Sequence, residues 1–221
     1  MASATLDVVV ARVRGPGDSN ATPPTAAKDL RALATTSALR PAVASLCEAS
    51  VDVIAYASTT TGYAIGHVAE AAMIRDLHQL AGVPVVTSGL AATQVLKTFG
   101  VRRISLIHPP WFEVEMGDLG ATYFRDQGID VVCLTATSLP VRPDLVRPEQ
   151  VIDYVTENVD ASTEAVFIAG NGFRAVSAID ELERRTGKLV LEANQVLLWS
   201  ILAATGSTLQ VDGYGRLFAR G

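Results

Sequence analysis

The sequence predicts an α/β protein of two similar half-domains, each built on a doubly wound parallel sheet, and three observations predict it. Short apolar runs bounded by Gly, Thr, Ser or Asn alternate with amphipathic stretches of helical length, the pattern of strands joined by crossover helices. Of the 221 residues, 49% are hydrophobic and only 19% charged, which suits strands buried on both faces and excludes general disorder. One stretch of the chain also looks like a copy of another.

In order, the strands are expected at Asp7 to Val13, Val51 to Ala57, Val83 to Thr87, Arg103 to Ile107, Asp130 to Leu134, Ala165 to Ala169 and Leu189 to Glu192. Helices are expected at Lys28 to Ala49, Gly66 to Ala81, Ala91 to Phe99, Glu113 to Gln127, Pro148 to Asn158, Ala175 to Arg185 and Val196 to Ala204. Pro148 suits a first helical turn, where its missing N–H costs nothing. Gly82, Gly100, Gly128, Gly187 and Gly206 fall at or just past helix ends, as C-terminal caps do.

The repeat pairs VDVIAYASTTTG, a helix and GVPVVTSGLAATQVLKTFG with EAVFIAGNGFRA, a helix and GKLVLEANQVLLWSILAATG. A nearly constant offset separates Ala57 from Ala169 and Gly82 from Gly187. The chain divides on this reading into residues 1–89 plus 196–221, and residues 90–195. Each copy puts a polar or Gly-rich loop after a strand, where open α/β sheets build their binding crevices. If the halves face one another, Ser58 to Gly62 and Gly170 to Gly172 line one cleft. The alternative is two ordinary strand-to-helix turns rich in capping residues.

The charge balance of −5 and the lack of a dense Lys/Arg cluster exclude nucleic acid and anionic membrane as partners. No apolar run reaches the roughly 18 residues needed to cross a bilayer, and the start lacks a secretory pattern. A cytoplasmic protein is expected. Cys47 and Cys133 are the two cysteines; with no metal-ligand spacing around them they read as buried free thiols, and no metal is expected. An exposed apolar helix face would serve a homo-oligomer.

Tyr56-Ala57 leads into Ser58-Thr59-Thr60-Thr61-Gly62, four hydroxyls and a Gly before a helix. Hydroxyls and free N–H groups so placed cradle a carboxylate or a developing oxyanion. Neither a P-loop nor a dinucleotide fingerprint is present. Other candidates are His108, which opens the loop His108-Pro109-Pro110-Trp111, the phenols of Tyr63 and Tyr214, and Arg174 and Arg216 as carboxylate partners. Each also has a structural reading: a turn histidine, rings packed with hydroxyls in water, surface ion pairs.

Tyr56-Ala57-Ser58-Thr59-Thr60 and Ile168-Ala169-Gly170-Asn171-Gly172-Phe173-Arg174 resemble the Tyr-Ala-Cys-Thr-Ser and Ile-Ser-Cys-Thr-Asn-Leu-Arg elements of the aspartate/glutamate racemase superfamily. Asn194-Gln195 with Trp199, and the ending Gly213-Tyr214-Gly215-Arg216-Leu217-Phe218, are similar to its arylmalonate decarboxylase and maleate cis-trans isomerase branch. The resemblance implies flavodoxin-like half-domains with the site between them, no cofactor, and a small carboxylate or dicarboxylate ligand. It marks Ser58 and Gly170 as the positions of the two catalytic cysteines, both replaced. Ser58, Thr59, Thr60, Asn171, Gly172, Asn194 and Gln195 become the substrate-binding candidates.

A thiol with a pKa of roughly 8.5 serves as acid or base near neutrality; a serine and a glycine do not, so two-base racemisation is not expected. The resemblance implies instead a decarboxylase-like enzyme working through an enediolate, or a maleate isomerase-like or racemase-like protein that only binds a small carboxylate. Asp7 to Val13 looks like the family's second strand, so the opening strand with its substrate loop is expected to be absent or altered, either because the true chain starts upstream or because the site is open on one side.

Overall fold

The computed structural model describes residues 5–13 and 26–219. Among them, helices α1 (Ala27–Leu33) and α2 (Thr36–Glu48) lead to strand β1 (Ile54–Tyr56), helices α3 (Thr59–Ile65) and α4 (His67–Ala81), strand β2 (Val85–Thr87) and helix α5 (Ser88–Thr98). Strand β3 (Arg103–His108), helix α6 (Val114–Arg125), strand β4 (Asp130–Ala136), helix α7 (Pro148–Asn158), strand β5 (Ala165–Ile168), helix α8 (Ile179–Thr186), strand β6 (Leu189–Glu192) and helix α9 (Ala193–Thr205) follow.

The strands form two parallel sheets, β1–β2 and β4–β3–β5–β6. Counted within its own half, the larger sheet has the order 2-1-3-4, that of a flavodoxin-like sheet. All four residues of β5 and of β6 are buried, as befits strands covered on both faces. One face carries Leu106 and Phe167 into a core with Ala92 and Val95 of α5, Phe124 of α6 and Val196 of α9. The other packs Ile107, Val166 and Ile168 against Val151 and Val155 of α7 and Leu182 of α8. The small sheet has its own core, Ile54 and Val85 against Leu39 and Val43 of α2 and Met73 and Leu77 of α4.

The two copies read from the sequence follow one plan, strand, helical connection, strand, helix: β1, α3 and α4, β2, α5 in the first and β5, α8, β6, α9 in the second. Helices α5 and α9, which open directly at the ends of β2 and β6, pack on each other. That contact brings the carboxyl ends of the two sheets together.

Four expectations need correction. Residues 7–13 form no strand: among the described residues no strand pairs with them, and Val8 and Val10 are 72% and 78% exposed. The single helix expected over Lys28 to Ala49 is two, because Thr35 adopts an extended conformation and caps α2 by accepting from Ala38 N–H at 3.3 Å. Helix α5 starts at Ser88, immediately after β2, and α9 at Ala193. The stretch read as a loop after Ser58 is itself helical: Ser58 caps α3, and Gly66, at φ +79°, turns the chain into α4.

Candidate functional site

Ser58 follows β1, Ser88 follows β2, Pro109 follows β3, Gly170 lies just beyond β5 and Asn194 just beyond β6. In the larger sheet the order reverses between β3 and β5, the switch point at which open α/β sheets leave a crevice. The loops after these two strands touch: a Cβ built on Gly170 would lie 2.8 Å from Pro109 Cγ, and one on Gly172 3.9 Å from Trp111.

The first and second loops face one another and are bonded directly. Thr59 N–H donates to Asn171 Oδ1 at 3.2 Å, and Gly170 N–H donates to Thr59 Oγ1 at 3.2 Å. The Asn171 amide NH₂ donates to Ser88 Oγ and to Asn194 Oδ1, both at 2.9 Å. Asn194 returns a bond from its own NH₂ to the Asn171 carbonyl at 3.1 Å. Ser58, Thr59, Gly170, Asn171 and Asn194 are thus brought together, and Thr60 joins them through the Ser58 hydroxyl at 3.1 Å. Gly172 follows Asn171 as an exposed residue.

Gln195 stands differently. Its Oε1 accepts from Glu192 N–H at 3.0 Å and its NH₂ donates to the Tyr214 carbonyl, so one polar end serves the cap of α9 and the other ties down the C-terminal segment. Tyr214 itself is exposed, and Arg216 pairs with Glu183 at 3.3 Å. Arg174 is exposed and sits near enough to Asp144 to lower its pKa slightly, behind the larger effect of Arg142. Neither arginine reaches the bonded loops. Cys47 is exposed on α2, where its thiol donates to the Ala81 carbonyl, and the Cys133 thiol donates to the Asn158 carbonyl. The expectation of two buried thiols fails for both, since Cys47 is exposed and Cys133 only half-buried, and neither sulfur replaces a lost catalytic one.

His108 is no turn histidine. It ends β3, is 1% exposed, and packs its ring 5.0 Å from Phe112 and 5.9 Å from Tyr63. Burial without a charge partner lowers its pKa to about 4, so it is neutral near pH 7. The Tyr63 hydroxyl is buried without a partner rather than in water, and burial raises its pKa.

Two buried carboxyls escaped the sequence reading. Glu192 accepts from Asn194 N–H at 2.8 Å, Gln195 N–H at 3.0 Å and the Asn194 NH₂ at 3.0 Å; burial nonetheless pushes its pKa up to about 7. Glu70 accepts from the Tyr123 hydroxyl, and burial raises its pKa against that bond. The capping box Glu192-Ala-Asn-Gln195 was a signal available for the first. For Glu70 the only signal was its place on the buried stripe of α4, three residues before Met73 and seven before Leu77.

Comparison with known proteins identifies the family and agrees with the fold. The family model described as arylmalonate decarboxylase matches residues 35–218. The arylmalonate decarboxylase of Bordetella bronchiseptica is 24% identical over 75% of this chain and 70% of its own. The maleate isomerase of Alcaligenes faecalis is 27% identical over 79% of this chain and 71% of its own. A crystal structure of a maleate isomerase variant from Pseudomonas putida S16 with maleate superposes with a TM-score of 0.78 at 21% identity, covering 88% of this chain and 79% of that one. By fold and by sequence, this chain belongs to the arylmalonate decarboxylase family, whose matched relatives are enzymes of the decarboxylase and maleate isomerase kind.

Proposed function

We propose that this chain is a cofactor-independent, decarboxylase-like enzyme that acts on a small carboxylic or dicarboxylic acid through an enediolate. The observation that carries the reading is the Thr59–Asn171 bond. Asn171 Oδ1 is an sp² oxygen held by the first loop's backbone N–H, the kind of atom a substrate carboxylate or an enediolate would place there. Around it stand the hydroxyls of Ser58, Thr59 and Thr60, donors suited to charge that grows as carbon dioxide leaves. A ligand taking this place would displace the Asn171 amide, whose remaining partners, Ser88 and Asn194, are fixed at the starts of α5 and α9. The maleate in the related isomerase structure supports a ligand of this class.

Carbon dioxide release from phenylmalonate and other arylmalonates, with Ser58→Ala and Thr59→Val alongside, tests the proposal. Rates equal to wild type in both variants would remove the loop from the mechanism.

A second reading is favoured by Gly170. With φ at +92° and Pro109 against it, the position has no room for the family thiol, as in a protein that keeps a carboxylate site without thiol chemistry. A rise in Tm with small acids, unaccompanied by turnover, would select this reading.

A further inference from the structure

The hydroxyls of the first loop do not stand alone. Tyr56 Oη lies 3.3 Å from Thr61 Oγ1, Thr61 Oγ1 lies 2.8 Å from Ser58 Oγ, and Ser58 Oγ lies 3.1 Å from Thr60 Oγ1. An unbroken chain of hydroxyls therefore runs from a phenol on β1 to the loop that meets Gly170 and Asn171. Each hydroxyl has one proton to give and two lone pairs to fill. One lone pair of Ser58 Oγ takes the Thr61 N–H at 3.2 Å. When the Thr61 hydroxyl fills the other, the Ser58 proton must point away from Thr61, towards Thr60 or a ligand. Thr61 then accepts the Tyr56 proton. Thr61 is 1% exposed, so its hydroxyl has protein partners in place of bulk water.

The reaction proposed above needs a proton at carbon once carbon dioxide has gone. Gly170 has no side chain, both thiols face backbone carbonyls elsewhere, and His108 is wedged between rings. Resting on the decarboxylase-like reading, we propose that Ser58 delivers that proton and that Thr61 and Tyr56 are the relay that refills it. The Ser58 O–H bond breaks as the enediolate's electron pair forms the new C–H bond. The Thr61 proton moves to Ser58 Oγ, the Tyr56 proton moves to Thr61 Oγ1, and the half-buried phenolate takes a proton from water. One solvent proton is consumed per turnover and the enzyme ends as it began. Burial raises the pKa of the Tyr56 phenol, with the Glu70 charge adding to it and the Thr61 bond opposing it. A carbanionic centre is a far stronger base than a phenolate, so the transfer still runs downhill.

The test follows carbon dioxide release from phenylmalonate and, separately, deuterium uptake at the α-carbon of phenylacetate in D₂O. Tyr56→Phe keeps the ring and removes only the hydroxyl that meets Thr61; Thr61→Val breaks the relay at its middle, and Thr61→Ser restores the hydroxyl. Expected is a loss of about 100-fold in kcat and in exchange for Tyr56→Phe and Thr61→Val, with KM within about twofold and recovery in Thr61→Ser. Wild-type turnover with Tyr56→Phe and Thr61→Val equally fast would overturn the relay and leave the decarboxylase reading standing. A raised KM at unchanged kcat would make Tyr56 a binding residue and also overturn it. Absence of both release and exchange in wild type would overturn the relay and the decarboxylase reading together.

Discussion

Thr59 and Asn171, 112 positions apart in the chain, are joined by a 3.2 Å hydrogen bond from the Thr59 N–H to the Asn171 side-chain oxygen. The same amide also holds Ser88 and Asn194, so one half-buried side chain ties together the loops after β1, β2, β5 and β6. Asn171→Ala is expected to cost about 1 kcal/mol, since the Thr59 N–H and the accepting oxygens of Ser88 and Asn194 are left to water entering the vacated space, and to lower the Tm by about 2–4 °C in a chain of this size. A melting temperature equal to wild type would show that the tie is not made in solution.

The two family thiol positions should respond oppositely to cysteine. Ser58 has φ −155°, extended backbone that any residue adopts, so Ser58→Cys should fold with only the loss of a helix cap, about 1 kcal/mol, and give a thiol that reacts with Ellman's reagent. Gly170→Cys places a side chain at φ +92° and 2.8 Å from Pro109 Cγ. That should cost about 1–3 kcal/mol, read as a depressed Tm. Equal melting temperatures for the two variants would show that the second loop is free to re-form.

The carboxyl of Glu70 is clasped between two glycines. A Cβ on Gly62 would lie 2.9 Å from both of its oxygens, and one on Gly89 would lie 3.1 Å from Oε1 and 2.7 Å from the Tyr123 hydroxyl. Moving away from one glycine drives the carboxyl into the other. Gly62→Ala should therefore destabilise by about 1–3 kcal/mol, and by less in a Glu70→Ala background, a coupling of at least about 0.5 kcal/mol. Additive denaturation midpoints would count against the clasp.

Stability should fall between pH 6.5 and 8. Glu192 has a folded pKa of about 7 against an ordinary 4.5, so between these two values the folded state holds a proton that the unfolded chain has lost, and at pH 6.5 the folded state still holds most of it. Stability then drops as pH rises towards the folded pKa and levels off above it. His108 works the other way, since its pKa of about 4 against 6.5 makes stability rise with pH, but only below 6.5. Thermal melts of wild type should decline from pH 6.5 to 8, and Glu192→Gln should flatten the decline, any remainder belonging to Glu70, whose pKa is raised in the same direction. A wild-type Tm that is level or rising over this interval would contradict the burial of Glu192 as a neutral acid.

Much of the fold was legible beforehand because its signals are local. Strands β2 to β6 stand within the expected segments or within two residues of them, since continuous apolar runs ending in Thr, Asn or Gly can hardly be anything else. Gly82, Gly187 and Gly206 cap α4, α8 and α9 in the left-handed conformation, the role glycine plays at helix ends. Residues 7–13 failed on the same grounds: Asp7-Val-Val-Val has strand composition, but a strand exists only where a neighbour pairs with it. The helix after Ser58 was hidden because Ser and Thr runs are equally good as loops and as capped first turns.

What the sequence determined by itself is the strand-helix alternation, the repeat and the kinship carried by the segments around Ser58 and Gly170. Only the tertiary structure decided that Asn171 reaches Thr59, that His108 lies neutral under aromatic rings, and that Tyr56, Thr61 and Ser58 form one hydroxyl chain. The reason is range. Periodicity and turn chemistry act over a few residues, whereas these contacts depend on α5 packing against α9 and on which side chains that packing shuts away from water.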